Sequence, residues 1–168
     1  MKFNIASLLP VAALLLPGLA FAQGAEEANL AVTASVAAGC TITTTTLAFG
    51  AYDTVSGAQV DAAGALHIAC TSGTDETITL DQGLNDTTGS TDVPERNMNS
   101  GSDMLAYTLY SDPLRQNVWG DAASDGVLTP TAASSAVVDF PVYGSIAAGQ
   151  DVPASTSYAD SVLATVSF

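Results

Sequence analysis

Tyr158-Ala159-Asp160-Ser161-Val162-Leu163-Ala164-Thr165-Val166-Ser167-Phe168 alternates at period two: Val162, Ala164, Val166 and Phe168 fall on one face, Ser161, Thr165 and Ser167 on the other, and Leu163 breaks the pattern. The spacing predicts a half-buried β-strand. A strand of this kind belongs inside a sheet, and its far edge would offer unpaired N–H and C=O groups to any strand that reached it. The fold therefore turns on what covers that edge.

A second stretch of the same kind lies near the other end. Leu30, Val32, Ala34 and Val36 form a period-two apolar face. This segment lies outside the loop between the two cysteines, Cys40 and Cys70. Periodicity alone allows two readings of it: the first strand of the domain, or a detachable strand.

The first 22 residues read as an export signal. Lys2 precedes an apolar run from Ile5 to Leu19, and Ala20-Phe21-Ala22 has the small-x-small pattern of a cleavage site. The run is interrupted by Pro10 and Pro17-Gly18 and is short for a spanning helix, so no membrane insertion is expected. Removing residues 1–22 leaves 146 of the 168, enough for one domain with an ordinary core. What remains carries two basic residues, Arg96 and Arg115, against 17 acidic ones, a net side-chain charge of −15. Such a surface repels nucleic acid and anionic lipid, and neither is expected as a partner. In an exported chain, two cysteines are read first as a disulfide, here Cys40 with Cys70. A metal site built from them and the single histidine, His67, would lack a fourth ligand and the usual short spacing.

Taken in order, Thr41 to Leu47 is a β-branched run leading to a corner at Phe49-Gly50-Ala51-Tyr52. Asp53 to Gly64 reads as a loop, after which Leu66, Ile68 and Cys70 alternate inward and His67 points out. Thr77 to Leu80 is a short strand, and the polar stretch from Leu84 to Asp103 reads as a long loop or irregular edge. Met104 to Tyr110 carries aromatic residues on both faces and is expected to be a central strand. Asp121 and Asp125 are read as turn residues, because the Asp/Asn ladder and terminal Glu of a calcium loop are missing. Val137 to Tyr143 is a strand in which Pro141 suggests an edge or a bend between sheets, and Gly144 to Thr156 is a loop. Short strands, turn signals and no amphipathic helix together indicate an all-β sandwich.

An ordered set of residues in this chain resembles the spore coat protein U domain family, which includes Csu-type pilin subunits of archaic chaperone-usher pili. The set is Gly39-Cys40, Leu47 to Tyr52, Leu66 to Cys70, Arg96-Asn97-Met98, Leu105 to Asp112, Trp119-Gly120-Asp121, Val142 to Ile146, and Tyr158-Ala159-Asp160. One departure is Thr156, where the family pattern has a glycine. The resemblance implies an incomplete immunoglobulin-like β-sandwich completed by a donor strand from a neighbouring subunit or a chaperone. It implies residues 23–37 as the N-terminal extension, with Leu30, Val32, Ala34 and Val36 as the donor strand, and residues 38–168 as the domain. Val162, Ala164, Val166 and Phe168 then form part of the acceptor groove and the chaperone-binding strand.

The function so implied is structural. The chain would be a shaft pilin that passes through the periplasm with a pilus chaperone. At an outer-membrane usher it would polymerise with copies of itself and other subunits, forming a surface fibre for adhesion and biofilm. The alternative is a secreted, self-complemented coat or matrix protein with the same domain. An exported hydrolase or carbohydrate-binding module finds little support in one His, few Glu and one Trp. No cofactor, metal or catalytic residue is expected.

Overall fold

A computed structural model describes residues 24–121 and 123–168. The expected export signal, residues 1–22, lies outside the described residues. Two units are distinguished, one ending at Ser35 and the other running from Val36 to Phe168. Residues 24–35 carry no strand or helix and are exposed.

The second unit holds seven strands: β1 (Cys40–Thr44), β2 (Val60–Cys70), β3 (Thr77–Leu80), β4 (Arg96–Ser100), β5 (Asp103–Tyr110), β6 (Val138–Ile146) and β7 (Ala164–Ser167). Five form one sheet in the order β1-β2-β6-β5-β4, and β3 and β7 form a second. All the pairings are antiparallel. The result is an open, curled all-β sheet, an incomplete immunoglobulin-like sandwich. The core is built from the inward residues of each strand: Leu66, Ile68 and Cys70 on β2, Ile78 and Leu80 on β3, Leu105, Tyr107 and Leu109 on β5, Val142 and Ile146 on β6, with Trp119 between them. Trp119 is fully buried and donates its indole Nε1–H to the Ile78 carbonyl at 2.9 Å, which satisfies its one polar atom.

β7 covers only Ala164–Ser167 of the expected terminal strand, and three further elements depart from the sequence reading. β2 begins at Val60, inside the expected loop, because Ala62, Ala63 and Gly64 are small enough to pair with β6 along its whole length. β4 is a regular strand within the expected loop, joined to β5 by a tight turn at Gly101. Its polar residues concealed it: Arg96 and Asn97 are buried, but their side chains are spent on backbone carbonyls.

β6 is the third departure, lying between β2 and β5 rather than at an edge. Pro141 sits opposite Ala65, and the N–H and C=O of Ala65 both point to Thr45 on the other side. The missing N–H of Pro141 therefore faces away from β2, toward a side where pairing with β5 stops at Tyr110–Tyr143. A proline in a central strand costs no ladder bond there.

Candidate functional site

The second sheet has only two strands, and the chain leaves a seam open beside it. On one side of the seam, Thr45 still bonds to Ala65, after which the backbone parts from β2 and turns at Gly50. Leu47 and Phe49 drop onto the inner face of the large sheet. They lie over glycines: a Cβ on Gly64 would meet Leu47 Cβ at 3.2 Å, and one on Gly144 would meet Phe49 Cζ at 2.7 Å. The Phe49 ring also meets Tyr107 edge-on, with centroids 5.9 Å apart.

The C-terminal segment forms the other side. Before β7 begins, it is held from outside by side chains and short bridges. Asn99 and Ala159 exchange backbone hydrogen bonds at 2.9 and 3.1 Å. Asp160 accepts from Leu84 N–H at 3.0 Å, from Asn85 Nδ2 at 2.9 Å and from the Tyr107 hydroxyl at 2.7 Å. Asp81 donates its backbone N–H to the Leu163 carbonyl at 2.9 Å and accepts the Leu163 N–H on Oδ1 at 2.8 Å. Burial, then the hydrogen bond and charge of Asp160, push the Tyr107 phenol well above its ordinary range, so it remains a hydrogen-bond donor.

Arg96 ties this arrangement to the core. Its guanidinium is fully buried and donates to the Asp81 carbonyl through Nε at 2.9 Å and to the Trp119 carbonyl through Nη2 at 2.7 Å. Desolvation pulls the guanidinium below its usual range, opposed by Tyr107, Asp81, Asp160 and Asp86.

Between the two sides lies a groove of about 630 Å³. Its apolar lining includes Leu47, Phe49, Leu66, Leu80, Met98, Tyr107, Leu109, Val142, Val162 and Ala164, and polar residues such as Thr44, Thr45 and Ser161 line its rim. A second cavity of about 540 Å³ continues it past Phe49 and Met98 toward Tyr52, Leu105, Ile146 and Val152. Its far end is latched by Tyr52, whose hydroxyl donates to the Ala147 carbonyl at 3.1 Å and accepts the Gln150 N–H at 2.8 Å. An open strand edge over an apolar floor is the arrangement that strand addition fills, with main-chain bonds along the edge and alternate side chains in the pockets.

The acceptor residues named from sequence divide in the structure. Val162 and Ala164 line the groove, and Val166 packs on the core opposite Ile78. Phe168 lies beyond β7, is 61% exposed and lines neither cavity. The residues expected to form the donor strand lie in a stretch without secondary structure, with Leu30 87%, Val32 84% and Val36 84% exposed. Cys40 and Cys70 form a disulfide between register partners, pinning the start of the edge strand β1 to the end of β2. His67 faces out and meets Asp139 across the β2–β6 ladder, Nδ1 to Oδ1 at 2.6 Å. Among the described residues, no group of three His, Cys, Asp or Glu side chains is placed to hold a metal ion. Leu47, Phe49, Met98, Tyr107 and Tyr158 escaped the sequence reading as groove residues. The one signal available was the inward face of β5.

Comparison with known proteins gives three findings. A family model described as the Spore Coat Protein U domain matches residues 26–165. Protein U of Myxococcus xanthus is 38% identical over 153 residues, which cover 84% of each chain. The solved chaperone–tip adhesion subunit pre-assembly complex CsuC–CsuE, from archaic chaperone-usher Csu pili of Acinetobacter baumannii, superposes with a TM-score of 0.56 at 21% identity. That match covers 79% of this chain and 40% of the other, and the likeness is one of fold.

Proposed function

The chain belongs to the Spore Coat Protein U domain family, and we propose that it is a pilus subunit that polymerises by donor-strand exchange. One observation carries this reading. An apolar groove lies open between Thr44–Gly50 and Tyr158–Ala164, and the same chain carries an exposed alternating strand sequence in Leu30, Val32, Ala34 and Val36. The groove of one subunit receives the extension, residues 23–37, of the next, and the domain is residues 38–168. Residues 1–22 direct export, a periplasmic chaperone holds the groove until the usher, and the subunit ends in a surface fibre as a shaft pilin.

Energetics support an assembly of this kind. Seating Leu30, Val32 and Val36, with less from Ala34, contributes on the order of 5 to 9 kcal/mol before the entropy cost of ordering the strand. New ladder bonds along the seam add to this, and slow strand release makes the fibre kinetically stable. The reading involves no catalytic chemistry.

A secreted, self-complemented coat or matrix protein is the second reading, favoured by the family's description as a spore coat domain. Electron microscopy of producing cells with and without the gene separates the two. Thin surface fibres that vanish with the gene support the pilin. Identical cell surfaces, with the protein recovered as a soluble monomer, support the second reading.

A further inference from the structure

The groove is divided. Its larger chamber, about 630 Å³, and its smaller one, about 540 Å³, abut at Phe49, Gly50, Met98 and Tyr158, which line both. Three of these side chains make a ridge across the path of any inserted strand. Phe49 is fixed from below by Gly144 and Tyr107. Met98 is the register partner of Leu105, so it shares that residue's inward face. Tyr158 is anchored by its hydroxyl, which donates to the Pro153 carbonyl at 3.0 Å.

A strand laid along the groove places an inward side chain about every 7 Å, twice the rise per residue. Four such side chains cover roughly 20 Å, so a strand reaching both chambers must cross the ridge. Of Leu30, Val32, Ala34 and Val36, three are branched and one ends at a methyl group. Resting on the donor-strand reading above, we propose that the donor is held in a single register, with Ala34 over the Phe49–Met98–Tyr158 ridge. Leu30 and Val32 then fill the larger chamber and Val36 the smaller one.

A slip of two residues in either direction sets Val32 or Val36 on the ridge. A slip of one turns all four apolar side chains out of the groove.

The test is capture of a labelled synthetic peptide carrying the sequence of residues 24–38 by dilute, purified full-length chain, followed by fluorescence anisotropy. Ala34→Leu in the peptide should weaken capture about 10- to 100-fold, the range that overpacking of a filled site produces. Val32→Leu, directed to the roomier chamber, should change it by less than about 3-fold. Met98→Ala in the full-length chain should restore the Ala34→Leu peptide, and Phe49→Leu serves if Met98→Ala fails to melt cooperatively. Equal capture of the Ala34→Leu and unaltered peptides overturns the register, as does rescue by Leu80→Ala or Val162→Ala in place of the ridge variants. Failure to capture even the unaltered peptide removes the donor-strand reading itself, and the register with it.

Discussion

Phe49 lies over Gly144 so closely that a Cβ added to the glycine would sit 2.7 Å from the ring's Cζ. The contact sets how far the wall from Leu47 to Gly50 can descend toward the floor of the groove. Gly144→Ala should push the ring off the sheet at a cost of about 1–3 kcal/mol, the usual range for overpacking. Urea denaturation checks it, and an unchanged midpoint would show that the wall shifts freely.

Arg96 holds the turn after β3 to the loop at Trp119 by donating to the Asp81 and Trp119 carbonyls. Arg96→Met preserves bulk but leaves the Asp81 and Trp119 carbonyls with one donor fewer. A hydrogen bond from a charged group is worth about 1.5–3 kcal/mol, so the loss should reach at least about 3 kcal/mol. Arg96→Lys should recover only part of it, because a single ammonium cannot reproduce the fork. Comparing the three unfolding midpoints tests this, and full recovery by lysine would refute the fork geometry.

Cys40 and Cys70 close a loop of 30 residues and pin an edge strand of five. Replacing both by alanine should cost about 3–4 kcal/mol in the chain-entropy model. Mass spectrometry of the unreduced protein should find no free thiol.

Tyr107 gives the fold a dependence on alkaline pH. Its folded pKa is raised above the unfolded value near 10, so the unfolded chain releases this proton first as pH rises. The contribution to stability is therefore complete below about pH 10 and falls above it, by about 1.4 kcal/mol per pH unit. Tyr107→Phe should flatten that slope while lowering stability at neutral pH by the lost bond to Asp160. Thermal melts from pH 8 to 11 measure both.

The sheet was legible wherever alternation was undisturbed. Leu66-Ile68-Cys70 and Leu105-Tyr107-Leu109 face the core as their spacing predicts, and Leu163, the residue out of pattern, is exposed. β4 was hidden because its inward charge is held by backbone carbonyls through Nε and Nη2 of Arg96, a pairing that periodicity cannot register. Pro141 misled because its cost depends on which way the neighbouring Ala65 points. Phe168 continues the apolar pattern in sequence but lies one residue past the last ladder pair, Thr77–Ser167, where nothing holds it inward. The groove itself arises between segments about 110 residues apart, Leu47–Phe49 and Tyr158–Val162, and no local signal reports such a meeting.

Val32→Asp separates the proposed donor segment from the domain that carries it. Val32 is exposed in the free subunit, so the change should leave the thermal melt of the monomer within about 0.5 kcal/mol of the parent, as for ordinary surface sites. In a fibre the same residue would bring a carboxylate into an apolar chamber, at a cost of several kcal/mol or a forced protonation. The measurement is the yield of fibres by electron microscopy, taken beside the melt of the soluble subunit. An unchanged melt with no fibres is the result expected here; normal fibres, or a subunit that no longer folds, would contradict donor-strand exchange.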